Sequence, residues 1–309
     1  VFADNLEGLK KKKRGLYNTG QLHLMLLPAV ISTAIFAYFP IFGLVMAFQD
    51  YKPLIGFRES DFVGLAQFKY IFTMPSFRQA FVNTIIIAFF KIILSILVPL
   101  ILSLMLNEVT KSWFKRSVQT IVFIPYFFSW AILAGMILEI FAYDGVVNNV
   151  LNSLFHTSPI AFLVSNRYFR SIIIGSDVWK GMGYNTVLLL AAITSVDPTL
   201  YEAAQVDGAG RWKQAIHITL PDIAPMIAVL TVLGLGNILN AGFEQILIMY
   251  NPTVEKTVDI LDTLVYRLGM VNHQYSAAAA MGLFKSVISL IFVGTSYLIL
   301  YKKSDYRVF

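Results

Sequence analysis

The sequence YEAAQVDGAGRWKQAIHITLP, residues 201–221, decides how this chain is organised, because it is the longest polar interval between two strongly apolar segments of the C-terminal half. Asp197 followed by Pro198 is a helix-start signal. A carboxylate can accept hydrogen bonds from free N–H groups, and proline suits the first helical position. We therefore expect a short helix from about Pro198 to Val206. The whole segment 197–224, called the polar loop below, is interpreted as a docking element and not as a catalytic one.

The second part of the polar loop predicts a turn and another helix. Gly208 is expected to end the first helix, because glycine tolerates the positive φ of a tight reversal. A second, amphipathic helix is expected from about Gly210, with Trp212 and Ile216 on one side. It is expected to stop before Pro221, because the residue preceding a proline disfavours the helical conformation. The prediction is a compact helix-turn-helix unit between two membrane spans.

The polar loop resembles the signature of the membrane-spanning permease subunits of ATP-binding-cassette importers, which reads E-A-A, three residues, G, nine residues, I-x-L-P. An aromatic residue is frequent in that family where this chain has Ala215, which places part of the expected apolar contact on Trp212. This many fixed distances distinguish the pattern from a short motif, and an ordinary amphipathic loop explains them less well. The resemblance implies an ATPase-coupling role for the matching residues and their neighbours, namely Glu202, Ala203, Ala204, Asp207, Gly208, Trp212, Ile218, Leu220 and Pro221.

The composition indicates an integral membrane protein. Of the 309 residues, 57% are hydrophobic and only 14% are charged, whereas soluble proteins have about a quarter charged residues. The absence of cysteine excludes disulfides, thiolate catalysis and Cys-ligated metals. The net charge of +6 is explained by basic residues at the ends of apolar segments, so no nucleic-acid partner is expected. The first residue is Val1, so we expect the native start to lie upstream.

Six apolar stretches, named spans one to six, each approach the about 20 residues that cross about 30 Å of hydrocarbon. We predict an all-α, polytopic membrane protein with six transmembrane helices. A single permease domain, 22–301, would lie between a basic tail at 1–21 and a short tail at 302–309, because no internal repeat or linker marks a second domain. The outer connections at 49–80, 142–170 and 250–276 are expected to form short interfacial helices and turns. The predicted spans are 22–48, 81–106, 118–141, 171–196, 225–249 and 277–301.

The distribution of Lys and Arg predicts the orientation. With six spans both termini lie on one side, and that side carries thirteen basic residues, against eight on the opposite side. Positive charge accumulates on the inner side of membrane proteins. We therefore expect both termini and the polar loop in the cytoplasm, in a bacterial inner membrane.

Ionisable residues inside membrane spans are costly and usually face protein or water, which makes them functional candidates. Six occur here, and helical spacing groups some of them. On span four, Asp177, Lys180, Gly181 and Tyr184 would share one face; on span five, Asn237, Asn240, Ala241 and Glu244 would share another. The alternatives are that Glu139 and Glu244 extend to the headgroups and that Asp177 and Lys180 form a local i,i+3 pair. The candidate substrate-pathway residues are Asp177, Lys180, Tyr184, Asn237, Asn240, Glu244, Lys91 and Lys285.

Motifs for enzymatic chemistry are absent. The chain has no G-x-x-x-x-G-K-[ST] phosphate loop, and its four histidines show no H-E-x-x-H spacing. We therefore predict a transport subunit that is not an enzyme and that binds no metal or cofactor of its own. The energy source is expected on another polypeptide.

The resemblance to importer permeases implies specific partners. These are a second, homologous permease subunit, two cytosolic ATP-binding subunits that carry ATP and Mg, and an extracytoplasmic solute-binding protein. The wider sequence, notably residues 16–53 and 251–270, is similar to the sugar-importer branch, whose permeases carry oligosaccharides from complex polysaccharides such as alginate, aldouronate and rhamnogalacturonan. Lys91, Lys180 and Lys285 would suit a polyanionic uronate by direct charge pairing.

Three other functions stay open on the sequence alone. The permease could carry another solute class, such as phosphate or a peptide. An ion-coupled secondary transporter could use Asp177 or Glu244 as a proton carrier, although such transporters usually show inverted repeats and broken helices, and the sequence shows neither. A non-transporting membrane scaffold would leave the charged stripes without explanation.

Overall fold

The computed structural model describes residues 19–236 and 239–303, and its regular structure is almost entirely helical. The first helix, α1 (Thr19–Thr33), continues through a π-helical turn (Ala34–Tyr38) into a 3-10 helix (Phe39–Phe48). In the described part of the chain the only sheet is a short antiparallel pair, β1 (Gln49–Asp50) and β2 (Asp61–Phe62). The two strands flank α2 (Gly56–Glu59), and α3 (Ala66–Thr73) follows them.

The remaining helices form the bundle. Its first half comprises α4 (Pro75–Asn107), α5 (Ser112–Phe123) with a 3-10 turn (Ile124–Phe127), α6 (Trp130–Ile140), α7 (Val146–Phe155), a 3-10 turn (Phe162–Val164) and α8 (Phe169–Thr194). Its second half comprises α9 (Pro198–Val206), α10 (Arg211–Gln214) with a π-helical turn (Ala215–Thr219), α11 (Leu220–Gly236), α12 (Phe243–Met249), a 3-10 turn (Pro252–Val254), α13 (Glu255–Val258), α14 (Leu261–Tyr266) with a π-helical turn (Arg267–Val271), and α15 (Tyr275–Lys303).

By length and composition, four helical stretches are able to cross a membrane: Leu22–Phe48, Pro75–Asn107, Arg211–Leu235 and Tyr275–Thr295. Two bent pairs pass the same test when each pair is taken together. They are Ser112–Phe127 with Trp130–Ile140, bent by 108°, and Phe169–Thr194 with Pro198–Val206, bent by 69°. The number of candidate spans is therefore six if each bent pair counts as one.

The third span is not the continuous helix that residues 118–141 predict. The helix narrows to a 3-10 turn at Pro125, and Phe128 and Ser129 are then fully extended, with ψ of 142° and 156°. Proline lacks the N–H that a helix interior requires, which explains a break close behind it. The chain turns by 108° there before α6 begins.

The predicted end of the second polar-loop helix before Pro221 is wrong. The helix that begins after Gly210 runs on through Pro221 and becomes the fifth span. The π-helical turn Ala215–Thr219 lies directly before that proline. A widened turn rearranges the carbonyls of the preceding turn, so the missing N–H and the bulky ring of proline are tolerated.

The fifth span also differs from the prediction at its other end. The helix predicted over 225–249 ends at Gly236, and α12 begins only at Phe243. Between them, residues 239–242 form a turn in which Ala241 and Gly242 have φ of 42° and 90°. These are left-handed conformations that interrupt a helix. The segment 239–242 is called the span-five break below.

The core lies where α4 and α8 pack along each other. One apolar cluster fills the space between α4, α8, α6 and α12. Its most deeply buried members, each no more than 1% exposed, include Leu133, Phe169, Leu239 and Ile246. Their elements come from distant parts of the sequence, so burial of this apolar surface joins the two halves of the bundle.

The outer connection 250–276 lies deeper than the predicted interfacial position. It does form short helices, but Val258, Ile260 and Leu261 are fully buried. Asn83 on α4 donates from Nδ2 to the carbonyl oxygens of Lys256 and Asp259, at 3.2 and 3.0 Å. The connection therefore contributes to the core instead of lying on its surface.

Candidate functional site

A cavity of about 380 Å³ lies between helices of the bundle. It is called the central cavity, and α4, α8, α11 and the span-five break form its walls. Its lining is mostly apolar but includes six polar side chains. Buried polar groups are costly unless they are paired. The residues that line it are Ala88, Lys91, Ile92, Ser95, Ile96, Asp177, Tyr184, Asn185, Leu230, Leu233, Gly234, Asn240, Ala241 and Gly242.

Lys91 occupies one wall of this cavity and is only 6% exposed. Its ammonium lies 3.1 Å from Oδ1 of Asp177, and it donates to the carbonyl oxygen of Ala241 at 2.9 Å and to Oε1 of Gln245 at 2.6 Å. An ammonium has three N–H donors. Three acceptors therefore satisfy Lys91 within the protein, and the i,i+3 pair between Asp177 and Lys180 is replaced by a pair between two helices.

Gln245 is a central residue of the site that was not among the sequence-based candidates. It is fully buried and donates from Nε2 to the carbonyl oxygen of Ile173 at 2.8 Å and to Oγ of Ser176 at 2.7 Å, while its Oε1 accepts from Lys91. It thus connects α12 to both α4 and α8. The amide of Gln245 between Glu244 and the apolar residues ILIM was the available signal, because such residues bond across membrane helices.

Lys180 lies at the break in the third span. Its ammonium donates to the carbonyl oxygens of Tyr126 and Phe128 and lies 5.5 Å from the ring centroid of Trp130. Tyr184, one turn further along α8, stacks on Tyr126 with ring centroids 4.9 Å apart and an interplanar angle of 10°. The stripe predicted on span four is therefore present, and it faces the broken third span as well as the central cavity.

Lys285 holds the opposite side of the span-five break. Its ammonium donates to Oδ1 of Asn240 at 2.8 Å and to both carboxylate oxygens of Asp262, at 2.5 and 2.7 Å. Asp262 carried no sequence signal, because it lies in an outer connection that was expected at the membrane surface. The return of this connection into the bundle brings the carboxylate to Lys285.

The stripe predicted on span five is wrong. Asn240 and Ala241 lie in the span-five break, and Glu244 begins a new helix and is exposed, so these residues share no helical face. Asn237 lies outside the described residues. Four of the predicted pathway residues line the central cavity, namely Lys91, Asp177, Tyr184 and Asn240.

The hypothesis that Lys91 and Lys285 pair directly with a charged substrate conflicts with this geometry. Each ammonium already faces three acceptors of the protein. An additional anion would have to displace an internal carboxylate from a partly buried site, where charge pairs are expensive to break.

The polar loop has the local geometry that its sequence predicts at its start and at its turn. Asp197 caps α9 by accepting a hydrogen bond from the backbone N–H of Thr199 at 2.9 Å. This hydrogen bond lowers the pKa of the Asp197 carboxyl, so the capping form is ionised at neutral pH. Gly208 has φ of 75° and forms the turn. Arg211 is paired with Glu108, at the end of α4, at 3.1 Å.

The residues proposed for ATPase coupling separate into an outer and an inner set. Glu202, Ala203, Asp207, Gly208 and Pro221 are exposed, Trp212 is 75% exposed, and Ala204 is half-buried. Ile218 and Leu220 instead pack against a small core of Ile193, Val196 and Ile223. The loop therefore presents a small-residue surface with two acidic side chains and one aromatic side chain, while its base is anchored to the bundle.

Within residues 19–236 and 239–303, no group of three or more His, Asp or Glu side chains could hold a metal ion. The charged groups of the cavity are instead paired with one another. An all-helical bundle with paired charges around a central cavity and an exposed helix-turn-helix loop defines a polytopic membrane permease.

Comparison with known proteins agrees with that class. Residues 95–305 match the family model of the binding-protein-dependent transport system inner membrane component. Two proteins of Bacillus subtilis (strain 168) are similar over most of their length. The polygalacturonan/rhamnogalacturonan transport system permease protein YteP is 41% identical over 92% of this chain and 89% of its own, and protein LplB is 42% identical over 90% and 87%.

A solved structure has the same fold. A chain from a bacterial ABC transporter involved in the import of the acidic polysaccharide alginate superimposes with a TM-score of 0.87 at 38% identity, over 94% of this chain and 99% of its own. A second structure of an alginate ABC transporter, in complex with a periplasmic protein that holds an alginate pentasaccharide, matches equally well over 96% and 99%.

The chain belongs to the family of binding-protein-dependent transport system inner membrane components. The predicted all-α permease fold is confirmed, and the resemblance to type I importer permeases is confirmed with it. The family consists of transport permease subunits that reside in the inner membrane.

Proposed function

We propose that this chain is one of two permease subunits of an ATP-driven importer and that it translocates an acidic oligosaccharide. The observation that carries the proposal is the central cavity, in which Asp177, Tyr184 and Asn185 provide polar groups between two closely packed helices. A scaffold would gain nothing from polar groups at this position, where each must be paired at a cost.

The aromatic pair supports a sugar substrate. The parallel rings of Tyr126 and Tyr184 lie beside the cavity, and Tyr184 forms part of its lining. An aromatic ring with a hydroxyl combines an apolar face with a polar edge, which matches the alternating surfaces of a pyranose. The relatives named for polygalacturonan, rhamnogalacturonan and alginate support an acidic oligosaccharide in particular.

We further propose that the polar loop couples the chain to a cytosolic ATPase that carries ATP and Mg. Its exposed face combines Glu202 with the small residues Ala203 and Gly208, so that another protein can approach the backbone closely. The inner packing of Ile218 and Leu220 gives the loop a rigid connection to the bundle. A second permease subunit and an extracytoplasmic binding protein complete the proposed importer, with both termini in the cytoplasm.

The experiment that tests this proposal is reconstitution of the permease pair with its ATPase in liposomes. Binding protein loaded with alginate or rhamnogalacturonan oligosaccharides would be added, and ATP hydrolysis and sugar uptake would be measured together. We expect the Glu202→Lys, Gly208→Asp double variant to lose stimulated hydrolysis and ATPase co-purification. Arg116→Glu, an exposed charge reversal on α5 on the same side of the membrane, is the matched control and should retain both.

An ion-coupled transporter would instead take up sugar without ATP hydrolysis in this experiment. Asp177 is held by Lys91 at 3.1 Å, which favours a structural pair over a proton carrier. Sugar uptake that persists without ATP and follows a proton gradient would reject the ATP-driven proposal. Hydrolysis stimulated by a phosphate- or peptide-loaded binding protein, but by no sugar, would instead move the substrate to another class.

A further inference from the structure

The two helix breaks share a common feature: each is held by lysine from a different helix. Lys180 of α8 donates to the carbonyl oxygens of Tyr126 and Phe128 at the break in the third span. Lys91 of α4 donates to the carbonyl oxygen of Ala241 at the span-five break. Within a membrane, every backbone polar group released by a break needs a partner inside the protein.

The span-five break forms a wall of the central cavity, and Lys91 links it to α4 while Lys285 links it to α15. Asn240, Ala241 and Gly242 all line the cavity. The ammonium of Lys91 occupies the space that a Cβ atom at Gly242 would need, so the break fits closely around it. Gln245, one turn beyond the break, accepts a hydrogen bond from the same ammonium.

We propose that Lys91 is a positioning residue for transport, which holds the span-five break in the shape that forms the substrate-facing wall of the central cavity. It acts through the carbonyl group of Ala241 and the side chain of Gln245, and not by contact with the substrate. All three N–H groups of its ammonium already have acceptors, so none remains for a sugar hydroxyl or carboxylate. The link to transport rests on the function proposed above, whereas the clamp itself does not.

The clamp can be tested without any substrate by labelling an introduced thiol, because the chain has no cysteine of its own that would react. Ser95 lines the cavity one turn from Lys91, so Ser95→Cys introduces a single reactive thiol there. The rate of its modification by a cationic methanethiosulfonate reports the shape of the cavity. We expect Lys91→Met and Gln245→Leu each to change this labelling rate about tenfold. The double variant should also change it about tenfold, and not about a hundredfold, because the effects of two substitutions in one hydrogen-bond network are not additive.

The same cycle is then measured as uptake of alginate tetrasaccharide or trigalacturonate in reconstituted importer. Each single variant should lower the uptake rate about tenfold, with no further loss in the double variant, while ATPase co-purification is retained. Lys91→Met leaves the Asp177 carboxylate without its cationic partner at a cost in stability, which is limited because the side chain of Asp177 is 28% exposed. Tyr184→Phe changes the cavity at a residue whose ring stacks on Tyr126 and which is not among the three acceptors of Lys91. It supplies the control pair and should combine additively with Lys91→Met.

The outcomes separate the two proposals. Additive effects of Lys91→Met and Gln245→Leu, or an unchanged thiol reactivity in Lys91→Met, would overturn the clamp. Normal uptake by Lys91→Met despite altered thiol reactivity would overturn its role in transport. If wild type imported neither sugar, the proposed oligosaccharide substrate would be wrong, and the labelling cycle would still decide whether Lys91 holds the break.

Discussion

At the scale of single residues, the site is built from charges that satisfy one another. Lys91 and Asp177 form an ion pair between α4 and α8, and Lys285 and Asp262 form another between α15 and the outer connection. Removing one member of such a partly buried pair leaves the other without its partner, at a cost in stability. These charges therefore specify one arrangement of helices.

Gly242 gives the first residue-scale prediction. Its φ of 90° is unfavourable for any other residue, and a Cβ atom there would collide with the ammonium of Lys91. We expect Gly242→Ala to lower the stability of the protein by about 1–3 kcal/mol, the usual cost of a strained backbone position. Thermal unfolding of the purified protein in detergent measures this change.

The control for this variant is Gly175→Ala on α8, where a Cβ would meet no atom within 4 Å. Alanine is favoured over glycine in a helix by about 0.5–1 kcal/mol, so this variant should be neutral or stabilising. Equal destabilisation by both substitutions would contradict both the backbone strain and the collision at Gly242.

At the scale of elements, close packing of α8 on α5 depends on one glycine. A Cβ atom at Gly183 would lie 2.6 Å from the Cα of Phe123 and would also strike the carbonyl of Val122, both backbone atoms that cannot rotate away. Small residues allow such close approach between membrane helices. The backbones of α8 and α5 are thus in direct contact.

We expect Gly183→Ala to force α5 away from α8 and to destabilise the protein by about 1–3 kcal/mol, the typical cost of overpacking. Gly181→Ala, two residues earlier, is the matched control because a Cβ there meets open space. Thermal unfolding of the two variants in the same detergent compares them directly. Similar midpoints would contradict the close packing of α5 on α8.

The cap of α9 gives a second prediction at the scale of elements. The pKa of Asp197 is lowered by its hydrogen bond to the backbone of Thr199, so the ionised carboxylate stabilises the helix above its ordinary pKa and loses this effect as pH falls through the lowered value. We expect Asp197→Ala to speed amide hydrogen exchange in the first turn of α9 at neutral pH. Asp197→Ser retains a capping oxygen and should restore protection; equal exchange in both variants would contradict the cap.

At the scale of the whole molecule, the distribution of basic residues predicts the orientation of the bundle. Asp144 lies exposed in an outer connection, and Val206 is 88% exposed at the end of α9 in the polar loop. Since the chain has no native cysteine, single cysteines at these positions can be labelled without background. In intact cells, a membrane-impermeant maleimide should modify Asp144→Cys and leave Val206→Cys unmodified until the membrane is opened.

The reverse labelling pattern would place the polar loop outside the cell and would remove the proposed contact with a cytosolic ATPase. Labelling of both positions from outside would mean that the chain crosses the membrane an even number of times between residues 144 and 206, and not once as predicted. Agreement would support the positive-inside argument for this family member.

The sequence by itself determined the local features of this protein. The six apolar stretches, the start and end of α9, and the positive φ of Gly208 all depend on residues within one or two turns of one another. Capping groups, glycine and apolar length act over that short range, so their effects can be predicted from neighbouring letters.

The tertiary structure alone decided where the spans break and which charges meet. Lys91 lies 150 residues from Ala241 and 154 from Gln245, and Lys180 lies 52 from Phe128. Helical periodicity predicted an unbroken stripe on span five, but the left-handed turn at Ala241 and Gly242 interrupts it. Lys91 of a neighbouring helix supplies the partner for the carbonyl group of Ala241 in this turn. The packing that brings the two together is not encoded in any local stretch of sequence.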